Sequence, residues 1–405
     1  MTFHSLPVED ALRFLAGKDR FALFESVCGD RENNLSYLFF EPIGTLEVKK
    51  ASELPVFFDR LEDYLKNGNY VVGFFSYETG YGLEEAFRST GESFPFSLAR
   101  FHVYARPEVF EHRSGLFENG FTPKGKEIDR SFSIDNIFLD VMPEEYKRNI
   151  NRIKELIADG ETYQVNYTLK CQFSFSGSPL GLYLHLRRKQ SVPYAVFFRD
   201  SGLSLLSFSP ELFFRKKGDA IMVRPMKGTI SRGENIFRDR RNAKLLRQNP
   251  KDRAENLMIV DLLRNDLGKV SETGTVKVDS LFDIERYETL FQMTSTISAR
   301  LKKDLGLFEL FKAIFPSGSV TGAPKIRTME LIRQMERGAR KVYTGGVGMF
   351  FPNRDAVFNV AIRTILLAGS SGEMGIGSGI VFDSTPEKEY AECKLKARFL
   401  TGSLM

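Results

Sequence analysis

An α+β architecture is what this chain predicts, and three observations predict it. Short runs rich in aromatic and β-branched residues, bounded by Gly and Pro, recur along its length and read as strands. Helical stretches come in groups between strand series, without the regular βαβ alternation of a doubly wound sheet. No segment repeats at solenoid periods. With 405 residues, 42% hydrophobic and 27% charged, the chain has an ordinary globular composition and room for two or three domains, or one large core.

Residues 1–135 read as an N-terminal subdomain of short strands and helices, with aromatic strands at Ser36–Phe40 and Tyr70–Phe75. Its last part, residues 107–135, is polar and broken by Gly and Pro, which marks a boundary, and residues 136–405 form the second unit. A helix starts at Pro143, sets Tyr146, Ile150, Ile153 and Ile157 on one face and stops at Gly160. Tyr163–Phe175 alternates as a strand. Leu203–Phe208, Leu212–Lys216 and Ala220–Met226 form a strand series, the last two joined as a hairpin across Lys217-Gly218-Asp219. Charged helices over Ile236–Arg247 and Arg253–Leu263 follow, then more strands and a helix from Pro324 to Glu336. Gly-rich strands at Val342–Phe351, Ala356–Leu367 and Met374–Phe382 lead to a final helix, Glu387–Leu400.

Net charge is +5, with no dense Lys/Arg tract interleaved with aromatics, so nucleic acid is not an expected partner. A basic pocket for a small polyanion fits that charge equally well. Three separated cysteines with no CxxC pair point to a reducing compartment. The N-terminus lacks a signal-peptide pattern, and runs such as Tyr194–Phe198 are too short to span a membrane, so a soluble cytoplasmic protein is expected. All four histidines precede residue 186, which disfavours His-based catalysis or His-ligated zinc, and no cysteine has the Gly-flanked setting of a glutaminase nucleophile.

Lys227 stands where a strand is expected to end in a tight Gly turn, in Arg224-Pro225-Met226-Lys227-Gly228-Thr229. Burial would lower its pKa and make it a nucleophile; exposed, it would be an ordinary surface lysine. Glu389 and Glu392 are three apart on the last helix and can reach one hard cation, or merely pair with Lys396. Glu255 is the natural third carboxylate, or a partner of its own helix dipole. Pro316–Lys325 lacks the Gly-Lys-Ser/Thr ending of a phosphate loop but builds a helix N-terminus suited to an anion or to simple capping. Arg363 in an apolar strand requires an anionic partner, and Gly375–Gly379 allows close backbone approach to a ligand or marks a bulge.

Taken together, these segments resemble the chorismate-utilising enzymes, a family that includes anthranilate, aminodeoxychorismate, isochorismate and salicylate synthases. The resemblance runs from about residue 140 to 402. It rests on Tyr163-Gln164-Val165-Asn166, Ser209-Pro210-Glu211, Met226-Lys227-Gly228-Thr229, Ala254-Glu255-Asn256-Leu257-Met258, Ser319–Lys325, Gly377-Ser378-Gly379-Ile380-Val381 and Glu389-Tyr390-Ala391-Glu392. It implies large antiparallel sheets packed face to face with helices outside, and a catalytic unit over residues 136–405. It also implies that Glu255, Glu389 and Glu392 hold Mg²⁺ against the ring carboxylate of chorismate, and that Glu211 assists departure of the C4 hydroxyl. Arg363 and Tyr343 match groups that grip the enolpyruvyl side chain. Gly228, Thr229, Thr321, Gly377, Gly379 and Lys396 match further substrate contacts.

Two positions separate the members. Water-using relatives carry a lysine base at the position of Gln164, so Gln164 points to ammonia as nucleophile. Lysine at the position of Lys227 is the pattern of the amine-forming aminodeoxychorismate synthases, where it adds to the ring covalently; anthranilate and isochorismate synthases usually have alanine there. The resemblance therefore implies ammonia supplied by a separate glutamine amidotransferase subunit. Gln292 stands where many relatives have histidine. Leu23-Phe24-Glu25-Ser26 is similar to an element that lines a tryptophan pocket in some members, which makes Glu25 and Ser26 candidates for such a site.

Overall fold

The computed structural model describes residues 3–30, 32–87, 93–288 and 290–402. From the N-terminus come α1 (Val8–Leu15), β1 (Arg20–Glu25), β2 (Leu35–Phe40), β3 (Gly44–Val48), α2 (Leu54–Lys66), β4 (Tyr70–Phe75), α3 (Thr79–Leu83), β5 (Ala99–Tyr104), β6 (Glu108–Glu111) and β7 (Leu116–Phe117). Next are β8 (Phe132–Leu139), α4 (Pro143–Ala158), β9 (Gln164–Gly177), α5 (Pro179–Arg187), β10 (Tyr194–Asp200), β11 (Leu203–Ser209), β12 (Leu212–Lys217), β13 (Ala220–Arg224) and β14 (Met226–Ser231). Then follow α6 (Ile236–Gln248), α7 (Pro250–Val270), β15 (Lys277–Arg286), β16 (Leu290–Arg300), α8 (Leu307–Ile314), β17 (Gly322–Ala323) and α9 (Lys325–Met335). The chain closes with β18 (Gly346–Phe350), β19 (Ala356–Val360), β20 (Thr364–Ala368), β21 (Ser371–Ile380) and α10 (Pro386–Thr401).

Two large antiparallel sheets result. The first runs β17-β9-β21-β20-β11-β10-β1-β2-β6-β7, with β8 also pairing β9. The second runs β14-β16-β13-β12-β19-β18-β4-β5-β3, with β15 also pairing β16. Their inner faces pack on each other: Phe24, Phe39, Phe198 and Leu205 of the first sheet share one buried cluster with Val72, Phe74, Tyr104 and Met349 of the second. Phe74 and Phe198 meet edge to face across that interface, with ring centroids 5.8 Å apart. Asp200 on β10 adds an ionic tie, receiving Arg100 Nε at 2.5 Å and lying 3.0 Å from His102 Nε2, both on β5 of the other sheet. The outer faces are covered by helices, which bury separate clusters against each sheet.

Strands on both sides of the 135/136 division contribute to each sheet: β1 pairs β10, and β4 pairs β18. The division itself falls inside β8.

Helix α4 shows how local pattern locates a helix. Pro143 sits at its first turn with Glu144 and Glu145 beside the positive end, while Tyr146, Ile150, Ile153 and Leu156 are buried. Leu156 replaces the expected Ile157, which is half-buried. Two strand expectations need correction. Ala356–Leu367 is two strands: β19 pairs β12 and β18 in the second sheet, and β20 pairs β11 and β21 in the first. Arg363 therefore lies at the crossover between sheets, at φ +50°, rather than inside a strand. The strand before Lys227 does not end there either; it breaks at Pro225 and resumes as β14, still against β16.

Candidate active site

Lys227 is the second residue of β14, which packs beneath α6 and α7. Proline at 225 cannot donate to the ladder, so the chain kinks before Met226. Gly228 then takes φ +83° at an irregularity in the β14–β16 register. A Cβ at Gly228 would lie 2.9 Å from Asp252 Cγ and 3.1 Å from Leu246 Cδ1, so glycine is required by conformation and by space. This bent strand aims the Lys227 amine inward. Among the described residues it has no hydrogen bond or ion pair within 4.0 Å, and Glu255, Glu211, Lys396 and Glu392 are its charged neighbours. Burial lowers its pKa against the opposing pull of Glu255 and Glu211.

Glu211 lies between β11 and β12 and is 4% exposed. Its Oε1 accepts from Ser319 Oγ at 2.6 Å. Burial raises its pKa to about 7, although Ser319 and Lys227 both favour the carboxylate. A carboxyl that holds its proton up to about pH 7 thus lies beside a lysine that holds its proton less firmly than usual.

Gln164 opens β9 with its side chain fully buried, and among the described residues neither Nε2 nor Oε1 has a hydrogen-bond partner. A Cβ on Gly379 would lie 2.2 Å from Gln164 Nε2 and 3.2 Å from Lys227 Nζ. Gly379, Gln164 and Lys227 are therefore mutual neighbours, and the bare glycine leaves the space between them. An unpartnered buried amide is unfavourable unless something polar completes it, which marks this as a ligand-facing position.

The acidic set approaches from two helices, Glu255 from α7 and Glu389 and Glu392 from α10. Burial raises the Glu255 carboxyl, with Lys227 and Lys251 opposing and Glu389 adding to the rise. Glu392 is turned to Lys396 at 2.7 Å, and Lys396 also donates to Gly377 O at 2.7 Å. The hard oxygen donors suit Mg²⁺. In this arrangement, however, no three such side chains among the described residues are gathered into a metal-binding group. Glu392 would have to leave Lys396 to complete one.

The remaining expected contacts are spread more widely. Thr321 is buried, its hydroxyl donating to Ser317 O at 2.9 Å. Thr229 is exposed, accepting from Gln292 Nε2 at 3.4 Å. Tyr343 packs on Gly375, where an added Cβ would lie 2.0 Å from its ring, and burial raises its phenol. Gly377 pairs with Thr168 on β9, leaving no room for a side chain. Arg363 has no carboxylate partner among the described residues; burial lowers its pKa, with Tyr287 as the neighbour opposing that shift. A cation held so is open to an anionic ligand.

Glu25 and Ser26 lie elsewhere, lining a cavity of about 360 Å³ with Phe24, Tyr37, Tyr194 and Met349. Glu25 is committed to Arg187 and to Tyr183 Oη at 3.0 Å, and Ser26 Oγ to the carbonyls of Leu35 and Pro193. Sequence reasoning missed the Ser319–Glu211 bond. Its signal was present, a serine inside a motif already singled out, but its partner is 108 residues away. No helix among the described residues is long and apolar enough to cross a membrane.

Comparison with known proteins supplies the context. A family model described as chorismate binding enzyme matches residues 20–402. Aminodeoxychorismate synthase component 1 of Bacillus subtilis is 39% identical over 252 residues, which is 62% of this chain and 54% of that protein. The chloroplastic aminodeoxychorismate synthase of Arabidopsis thaliana is 40% identical over 282 residues, 69% of this chain and 31% of that protein. The chain thus spans about half, or less, of the length of these relatives. Among solved structures, anthranilate synthase component I from Streptococcus pneumoniae has the same fold, with a TM-score of 0.79, 24% identity, and coverage of 91% of this chain and 92% of that one.

Proposed function

This chain belongs to the chorismate binding enzyme family, and from that premise we propose that it joins ammonia to chorismate, giving 4-amino-4-deoxychorismate through a covalent bond to Lys227. The observation that carries the reading is the Lys227–Gln164–Gly379 cluster, with Glu211 as Lys227's acidic neighbour. An amine free of hydrogen bonds and shifted toward its neutral form is a nucleophile. A glutamine, which cannot act as a base, occupies the position from which water would be activated.

In the proposed reaction, the Lys227 nitrogen bonds to C2 of chorismate and the ring double bonds shift. The C4–O bond breaks, and water departs with the proton of Glu211. Ammonia then bonds to C4 and returns a proton to Glu211, the double bonds shift back, and the C2–N bond breaks to free Lys227 as the amine. The enolpyruvyl group stays in place. Two allylic displacements replace one difficult substitution. Arg363, Tyr343 and Thr321 would bind the enolpyruvyl carboxylate and ring, and Gly228, Thr229, Gly377 and Lys396 would frame the rest. Mg²⁺ would be held by Glu255, Glu389 and Glu392 and would supply positive charge opposite the ring carboxylate. Ammonia would come from a separate glutamine amidotransferase subunit. The cavity beside Glu25 and Ser26 would suit a small amphipathic ligand such as tryptophan.

The test is incubation with chorismate, Mg²⁺ and excess ammonium, with products read by mass spectrometry. Aminodeoxychorismate is expected. Fluorescent anthranilate, or no turnover with ammonium present, would refute the assignment.

A further inference from the structure

Arg340 lies just before Tyr343 in the loop between α9 and β18, and its side chain is 2% exposed. Its guanidinium reaches three segments that build the site. Nη1 donates to Val320 O at 2.9 Å and to Thr344 Oγ1 at 3.3 Å, and Nη2 to Asn166 O at 2.5 Å. Val320 separates Ser319 from Thr321, Asn166 is two residues from Gln164, and Thr344 follows Tyr343. Glu336 accepts the remaining donors, from Nε at 2.8 Å and Nη2 at 2.6 Å, so all five N–H groups are engaged. Glu78 fixes the backbone beneath, accepting from the N–H groups of Arg340 at 2.6 Å and Lys341 at 3.0 Å. Tyr77 covers the cation's face, with its centroid 4.4 Å away.

Two carbonyls and a hydroxyl from distant parts of the chain therefore converge on one rigid planar fork. The 318–321 turn and β9 are already joined by Asn166 N–H donating to Thr321 O at 2.8 Å. Arg340 adds a second, charge-assisted connection between the same two segments. We propose that Arg340 is a positioning residue for the reaction, holding Ser319 against Glu211 and Gln164 against Lys227. The claim rests on the functional reading above. A lysine could not reproduce it, because an ammonium has three donors and no planar fork.

Glu211 reports on this arrangement, since Ser319, Lys227 and the Met226 N–H are the groups that act on its carboxyl. In Arg340→Lys, the Ser319 donation should weaken. The Glu211 titration, read by difference infrared spectroscopy with Glu211→Gln as the blank, should then move to higher pH, as it should in Ser319→Ala. The Ser319→Ala, Arg340→Lys double variant should show no further movement. With chorismate and ammonium, kcat should fall about 10- to 100-fold while KM changes far less, as expected for misplaced catalytic groups. A paired Arg340→Gln, Glu336→Gln variant, which removes both buried charges, guards against a simple folding failure. Thermal melting establishes that each variant is folded. Folded Arg340 variants with a wild-type Glu211 titration and wild-type kcat would overturn the proposal, as would activity lost only in proportion to the unfolded fraction. If the wild type did not turn over chorismate, the functional reading would fail, and the infrared titration would still decide the positioning claim.

Discussion

A proton shared by Lys227 and Glu211 can reside in an ammonium–carboxylate pair or leave both groups neutral, and burial decides between the two. Both shifts, Lys227 down and Glu211 up to about 7, run in the direction of the neutral pair and narrow the gap between the two forms. The consequence for stability has a definite sign. Glu211 binds its proton more tightly when folded than when unfolded, so its contribution is unfavourable and grows as pH rises from the ordinary carboxylate range through about 7. Glu211→Gln should therefore stabilise the protein at about pH 8 by up to about 3 kcal/mol, with a smaller gain at about pH 5, while abolishing turnover. Denaturant melts at the two pH values check this; a pH-independent change would contradict the assignment. Single-turnover consumption of chorismate without ammonium should depend on pH through both groups, because the reaction needs Lys227 without its proton and Glu211 with its own. At this scale the sequence was informative about identities and poor about partners. Lys227, Glu211 and Gln164 lie in quotable motifs, whereas the Arg340 network joins positions 78, 166, 320 and 336, which no local pattern connects.

Strands β14, β9 and β21 carry the site through what their glycines omit. In Gly379→Ala the new methyl would push into Gln164 and crowd the Lys227 amine. Activity should fall by at least about 100-fold, because a displacement of about 1 Å suffices for that. The melting temperature should move little, since Gln164 is a flexible side chain that can yield. Gly228→Ala should behave differently. Its positive φ alone costs a non-glycine residue about 1–2 kcal/mol, and the contact with Asp252 and Leu246 adds to that, so both stability and activity should drop. Paired melting and rate measurements separate the two cases. Helices α4, α6, α7, α9 and α10 and the 217–219 hairpin were legible at this scale because period and turn residues suffice for them, whereas α5 and α8 were not among the expected elements. The split of Ala356–Leu367 between two sheets was not, because both halves are apolar and only tertiary pairing tells them apart.

Across the whole molecule, the two sheets interleave early and late sequence, so the strands that carry the site belong to sheets drawn from the entire chain. Removing residues 1–135 would strip β1 from β10 and β4 from β18, leaving two long apolar edges unpaired and the Phe74–Phe198 interface open. A fragment of residues 136–405 should therefore aggregate or remain molten, as circular dichroism in the near ultraviolet and size-exclusion chromatography would show. A soluble, cooperatively melting fragment would mean that the second unit folds alone. The α+β class followed from element order, but the face-to-face packing that joins residue 74 to residue 198 leaves no trace in periodicity. The most direct test of the central claim is intact-protein mass spectrometry of the wild type mixed with chorismate and Mg²⁺ in the absence of ammonium, followed by peptide mapping. The account predicts an adduct of chorismate less one water on Lys227, discharged as aminodeoxychorismate when ammonium is added. A Lys227→Ala variant that forms aminodeoxychorismate at the wild-type rate would contradict it.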